Sequence, residues 1–164
     1  MNTQYCENDV SPQPAPPAWV ADQTPELQQL YAYWLASCGA KPLPAQTDLD
    51  LVELATGFDG ILLARAMPES SLHPYLFHPL AHHVTAGEKG APGLEPTLFQ
   101  HIPLGGCNVA RTKRGPVADR VSHISADGML VDYDVLYLPL APDGGEVDAL
   151  LILAVEMMPT DYLA

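Results

Sequence analysis

From Leu27 to Leu35 the apolar residues recur with a helical period: Leu27, Leu30, Tyr31, Trp34 and Leu35 fall at i, i+3, i+4, i+7 and i+8, which is one face of a helix. Thr24 stands where a cap is needed, Pro25 suits the first helical position, and Gly39 stops the run. A second helical turn is predicted from Asp48 to Ala55, with Thr47 as its cap. The period then changes. Gly60 to Met67 (GILLARAM) is a short, continuously apolar run between turn formers, the pattern of a strand covered on both faces, and Leu150 to Val155 reads the same way. Tyr75 to Ala81 contains Pro79, which has no N–H to give a ladder, so that strand is predicted at a sheet edge.

Three strand-like runs then follow one another: Val117 to Ser125, Leu130 to Leu138 and Val147 to Val155. Asp127-Gly128 and Asp143-Gly144-Gly145 join them, and turn chemistry of this kind closes antiparallel hairpins. Within the middle run, Val131, Tyr133, Val135 and Tyr137 alternate with Asp132 and Asp134, which predicts a Val/Tyr face on the core and a wet face opposite. Helix, strands and a terminal three-stranded unit make a small α+β fold. Between His82 and Gly115 the chain is broken repeatedly by Gly and Pro, and only Leu94 to Ile102 reads as helical. A binding site is expected in this irregular stretch.

Length and composition narrow the setting. With 164 residues, 48% of them hydrophobic, the chain can fill one sizeable core, so a single domain is expected. Residues 1 to 23, acidic and rich in proline, read as a disordered or loosely attached arm, 24 to 158 as the domain and 159 to 164 as a short tail. Proline-rich arms can serve as ligands for aromatic grooves, but the preferred reading is that Trp19 and Val20 fold back on their own domain. The net charge of −13 repels phosphate backbones and anionic membranes, which excludes nucleic acid as an expected partner and is read mainly as a solubility device. Cys6, Cys38 and Cys107 are widely spaced, with no Cys or His beside any of them at metal-ligand spacing. Reduced thiols and the lack of a leader or of a run near 18 apolar residues lead to a cytoplasmic assignment.

The element order, together with particular residues, resembles the PAS family. Leu30-Tyr31-Ala32-Tyr33-Trp34, Pro42-Leu43-Pro44-Ala45, Asp48-Leu49-Asp50 and Ile61-Leu62-Leu63 are similar to a PAS subgroup common in alphaproteobacteria. So are Gly115-Pro116-Val117, Asp127-Gly128, Tyr133, Leu138-Pro139-Leu140, Asp143-Gly144 and Val147-Asp148. The resemblance covers roughly residues 24 to 158. It implies a five-stranded antiparallel sheet of order 2-1-5-4-3, with an N-terminal helix and a helical or irregular segment between strands 2 and 3. GILLARAM and the last strand would be interior and the Pro79 strand at an edge, as the burial pattern independently predicts. The departures lie after the second strand, where the subgroup's Arg, Gly and Leu-Thr-Gly are replaced by Phe77-His78-Pro79-Leu80-Ala81-His82-His83. No family ligand or cofactor is carried over.

The remaining candidates for chemistry are few. His73, His78, His82, His83, His101 and His123 are weighed as metal ligands, and, because some PAS domains hold haem through a single His, one of His78, His82, His83 or His101 as a haem ligand. His78 and His82 have i, i+4 spacing, but Pro79 lies between them and no H-E-x-x-H follows, so packed or surface histidines are the default and no metal is assigned. Arg111, Lys113, Arg114 and Arg120 are four of the seven basic residues. They are read as a solvated rim, with an anion contact through Arg120 as the functional alternative. Asp48, Asp50 and Glu53 open a helix, where the dipole favours negative charge. Ser122 and His123 face opposite sides of a strand and cannot pair as nucleophile and base. Cys107 could be redox-active only if exposed beside Arg111.

No catalytic constellation emerges, so a non-enzymatic role is expected: a single-domain PAS-like sensory or regulatory module in bacterial signal transduction. Because the sequence stops soon after the last predicted strand, no output domain is expected, and signalling would pass through a partner protein or a homodimer. An unidentified small ligand is expected between the sheet and the 82 to 115 segment, contacted by Tyr133, Tyr137 and Arg120, with His82 and His83 at the rim. The alternative is a ligand-free adaptor that uses the sheet for protein contacts.

Overall fold

The two continuously apolar runs, Ile61–Ala66 (β1) and Ala149–Glu156 (β5), pair with each other at the centre of a five-stranded antiparallel sheet of order β2-β1-β5-β4-β3. The computed structural model describes residues 17–70, 72–80, 104–143 and 145–157. The predicted Leu94 to Ile102 helix, His82, His83, His101, residues 1–16 of the arm and the 159 to 164 tail lie outside them.

Tyr75–Pro79 (β2) is an edge strand paired only with β1, and its last residue, Pro79, stands opposite Leu62. Val117–Ile124 (β3) forms the other edge, and Leu130–Leu140 (β4) lies between β3 and β5. The β3–β4 hairpin closes through Asp127-Gly128. Gly128 adopts φ 78°, which its lack of a Cβ permits, and its N–H donates to the Ser125 carbonyl at 2.9 Å. The last strand starts two residues later than its sequence pattern suggests, because Asp148 N–H turns back to the Leu140 carbonyl before pairing begins.

Four helices complete the described fold: Ala18–Ala21 (α1), Pro25–Cys38 (α2), Leu51–Gly57 (α3) and Leu104–Lys113 (α4). A 3-10 turn spans Gln46–Asp48. Helix α2 buries Leu27, Leu30, Tyr31, Trp34 and Cys38. Cys38 extends this stripe by a further turn, and Leu35, half-buried at its margin, packs against the core. Each of the fully buried leucines contributes roughly 1.5–3 kcal/mol of burial free energy. Thr24 precedes α2 in extended backbone, but its hydroxyl makes no cap bond and is buried without a partner among the described residues. Gly39 closes the helix at φ 57°. Trp19 packs edge-on against Tyr31 at 5.4 Å, and Val20 is buried, so this part of the arm folds back on the domain.

The predicted second helix is displaced. Its cap is Asp50, not Thr47: one carboxylate oxygen accepts from the N–H groups of Val52 at 3.1 Å and Glu53 at 3.0 Å. Asp48 instead accepts from the Ala45 N–H at 2.8 Å and from Lys41, whose ammonium also reaches Asp143 at 2.9 Å.

The pairing register sorts the sheet into two faces. Tyr133, Val135 and Tyr137 share one with Val117 and Val121 of β3, Ile152 of β5 and Tyr75 of β2. This tyrosine face carries α4. Leu136, Leu138, Leu151, Leu153 and Leu63 share the other, the leucine face, where α3 borders β1 and β2. From Asp134 to Leu140 every residue of β4 is buried, so the predicted wet face exists only near the β3–β4 turn. Among the described residues no helix is long and apolar enough to cross a membrane.

Candidate ligand site on the tyrosine face

Helix α4 corrects the sequence reading, which left this stretch irregular. Gly105 and Gly106 hide it, because glycine is a poor helix former. Gly106 is nevertheless the residue that lets the helix approach: a Cβ there would lie 2.5 Å from Cζ of Tyr137. Tyr75, at the sheet edge, donates its phenolic hydrogen to Oδ1 of Asn108 on α4 at 2.7 Å. Burial raises the Tyr75 pKa, the neighbouring Cys107 adds to this, and Arg111 opposes it.

Tyr137 lies under α4 and is completely buried. Its hydroxyl has no hydrogen-bond partner among the described residues. Burial first, then the proximity of Cys107 and Asp119, pushes its pKa far above the usual phenol value, so the group stays a neutral donor. Cover thins towards the hairpin: Val135 is buried, whereas Tyr133 and its partner Val121 are half-buried. Tyr133 therefore marks the open end of the same row, and Tyr137 the closed end.

Arg120 does not share this site. It stands opposite Asp134 on the leucine face, where its Nε donates to Oδ1 at 3.0 Å. The pair is lopsided: the Arg120 side chain is 62% exposed and that of Asp134 only 8%. One step nearer the hairpin, Ser122 donates to Asp132 at 2.5 Å. These two pairs form a polar ladder on the leucine face. The alternation of β3 puts Arg120 out of reach of Tyr133 and Tyr137, a relation that only the register could settle. His82 and His83 lie outside the described residues.

The other basic residues are separated from Arg120. Arg111 and Lys113 occupy the last turn of α4, where positive charge suits the helix dipole. Arg114 follows at φ 55° and donates to the Gly145 carbonyl at 3.2 Å. Arg111 and Arg114 border a shallow cleft of about 380 Å³ with Glu146.

Cys107 sits within α4 rather than in a loop and is completely buried, and burial raises its thiol to about 12. The exposure that redox activity would require is therefore not met. His78 lies on the leucine face and His123 on the tyrosine face. Among the described residues no group of three or more His, Cys, Asp or Glu could hold a metal ion.

The strand order, the N-terminal helix and the helix between β2 and β3 define a PAS-like fold. No family model matches the sequence, and no curated protein does. Among solved structures, the LOV domain of the blue-light photoreceptor Aureochrome1 is similar at 11% identity, covering 67% of this chain and 91% of that chain, with a TM-score of 0.39. A PAS domain from Colwellia psychrerythraea is similar at 13% identity, covering 65% and 96%, with a TM-score of 0.36. A sensory box histidine kinase/response regulator from Burkholderia thailandensis is similar at 11% identity, covering 66% and 85%, with a TM-score of 0.35. Likeness at this level says nothing about chemistry, and the fold assignment rests on the strand order itself.

Proposed function

We propose that this chain is a sensory or regulatory module of bacterial signal transduction, without catalysis of its own, related to the alphaproteobacterial PAS subgroup that its motifs resemble. A small ligand is held between the tyrosine face and the 82 to 115 segment, of which α4 is the described part. Tyr133 and Tyr137 contact it, and His82 and His83 stand at the rim. Ligand binding shifts α4 or the N-terminal surface between two arrangements, and a partner protein or a second copy reads the change.

The observation that carries this reading is the Tyr137 hydroxyl, a buried donor without a partner among the described residues. Leaving such a group unpaired costs about 1–3 kcal/mol, and a polar atom of a ligand entering past Tyr133 would satisfy it. Native mass spectrometry with an absorption spectrum, on protein purified without added cofactor, tests the idea. A stoichiometric extra mass is expected, lost in Y133A and kept in R120Q, since Arg120 lies on the other face. Retention that ignores Y133A would overturn the placement.

The adaptor reading is favoured by a different observation. Ile124 and Leu130, directly paired at the tip of the β3–β4 hairpin, are 65% and 66% exposed, which is unusual for paired aliphatic side chains and suits a protein contact. A clean apo mass, combined with self-association that I124K abolishes, would favour it.

A further inference from the structure

A second concavity lies on the leucine face, between α3 and the β1–β2 edge of the sheet. It measures about 390 Å³, within the range of roughly 300–1,000 Å³ typical of small-molecule sites. Its floor is Leu63 and Leu80, both buried, and its wall is Leu51 of α3. Val52, 64% exposed, stands at the mouth. The polar lining comes from Gln46, Arg65 and His78.

The sheet register explains their convergence. His78 stands opposite Leu63, and Arg65 follows two residues along β1, so both polar side chains emerge on one face beside the same leucine. The Asp50 cap sets the first turn of α3 over them. This chain has 20 acidic and 7 basic residues, yet among the described residues no carboxylate lines this pocket. Among the described residues the Arg65 and His78 side chains have no ion-pair partner. A guanidinium fork, an imidazole and an amide over an apolar floor select a ligand with an anionic head and a hydrocarbon body.

We propose that this pocket binds a small amphipathic carboxylate, with its head on Arg65 beside His78 and Gln46 and its body against Leu51, Leu63 and Leu80. The site is on the opposite face of the sheet from Tyr133 and Tyr137 and does not depend on a ligand being held there. Occupancy would tie α3 to the β1–β2 edge.

The test titrates the full chain with octanoate, 1-octanol and octylamine, followed by NMR of the amides and the histidine rings. Saturable octanoate binding is expected, with shifts at His78 and Val52, no binding of octylamine, and an affinity about ten-fold lower or worse in R65Q. Because Arg65 is exposed, R65Q keeps the fold, which an unchanged spectrum at β4 and β5 verifies. H78Q is expected to weaken binding in the same direction. The proposal is overturned by octanol binding as tightly as octanoate, by an unchanged affinity in R65Q, by the absence of saturation at about 10 mM, or by shifts centred on Tyr133 instead of His78. The last outcome would place the carboxylate on the tyrosine face and support the sensor site.

Discussion

The ring of Tyr137 occupies the space that a side chain at position 106 would need, with Cζ, Cε2 and Oη all within 2.8 Å of where a Cβ would lie. One residue earlier, Gly105 faces open space. These neighbours should therefore respond in opposite ways to the same change. G106A is expected to destabilise the protein by about 1–3 kcal/mol through overpacking, while G105A should be neutral or stabilising by up to about 1 kcal/mol through helix propensity. Thermal denaturation of the two variants decides it, and equal effects would contradict the packing described.

Trp34 and Pro139 are linked across 105 residues by a buried hydrogen bond, indole N–H to carbonyl, at 3.0 Å. Strand β3 stops at Val117, opposite Tyr137, so beyond that point β4 has no β3 partner. The indole takes the carbonyl there instead. W34F leaves this acceptor unpaired and should cost about 1–3 kcal/mol. In urea unfolding, the midpoint should fall with the slope unchanged.

The cluster of Lys41, Asp48 and Asp143 predicts a pH dependence. The Lys41 ammonium, then the Ala45 N–H, hold the Asp48 carboxyl below its ordinary 3.8. Asp48 and then Asp143 raise Lys41 above its ordinary 10.5. A depressed carboxyl stabilises the fold above its unfolded value and loses that effect as pH falls through the folded one. A raised amine stabilises below its unfolded value and loses the effect as pH rises through the folded one. The difference in Tm between wild type and D48N should be constant from about pH 5 to 9 and shrink as pH falls below the ordinary carboxyl value of 3.8. A difference that persists at low pH would remove the ion pair as its cause.

Differential alkylation tests the buried thiols. With its thiol at about 12, Cys107 is ionised to about one part in ten thousand at pH 8. Burial also raises Cys38, whose thiol donates to the Trp34 carbonyl. Both should resist iodoacetamide in the native protein and react on unfolding. Rapid native labelling of Cys107 would mean that α4 opens readily.

The sheet was legible because its signals are local and strong. Asp127-Gly128 marked one hairpin, Pro79 put β2 at an edge, and the continuous runs put β1 and β5 in the interior, while the full order came from the PAS resemblance and agrees with the sheet. The candidate site was legible only in part. Tyr133 and Tyr137 share a face because alternation within one strand needs no partner. Arg120 was grouped with them because the relative phase of β3 and β4 is set by pairing, which no single run displays. Helix α4 was missed since the glycine that weakens its propensity is also the one required by its closest contact. The carboxylate pocket joins Gln46, α3, β1 and β2, segments whose adjacency depends on tertiary packing.

The pairing of Ile61 with Leu153 also has a consequence for biosynthesis. During translation β1 can find β2 at once, but its other edge stays unpaired until β5 has left the ribosome. The most apolar strand of the front half therefore waits for almost the whole domain, in a nascent chain with an open template for wrong pairing. Completion of the sheet should therefore wait for β5 and be slow for a domain of this size, and a ribosome-associated chaperone would have most to protect between the emergence of β2 and that of β5.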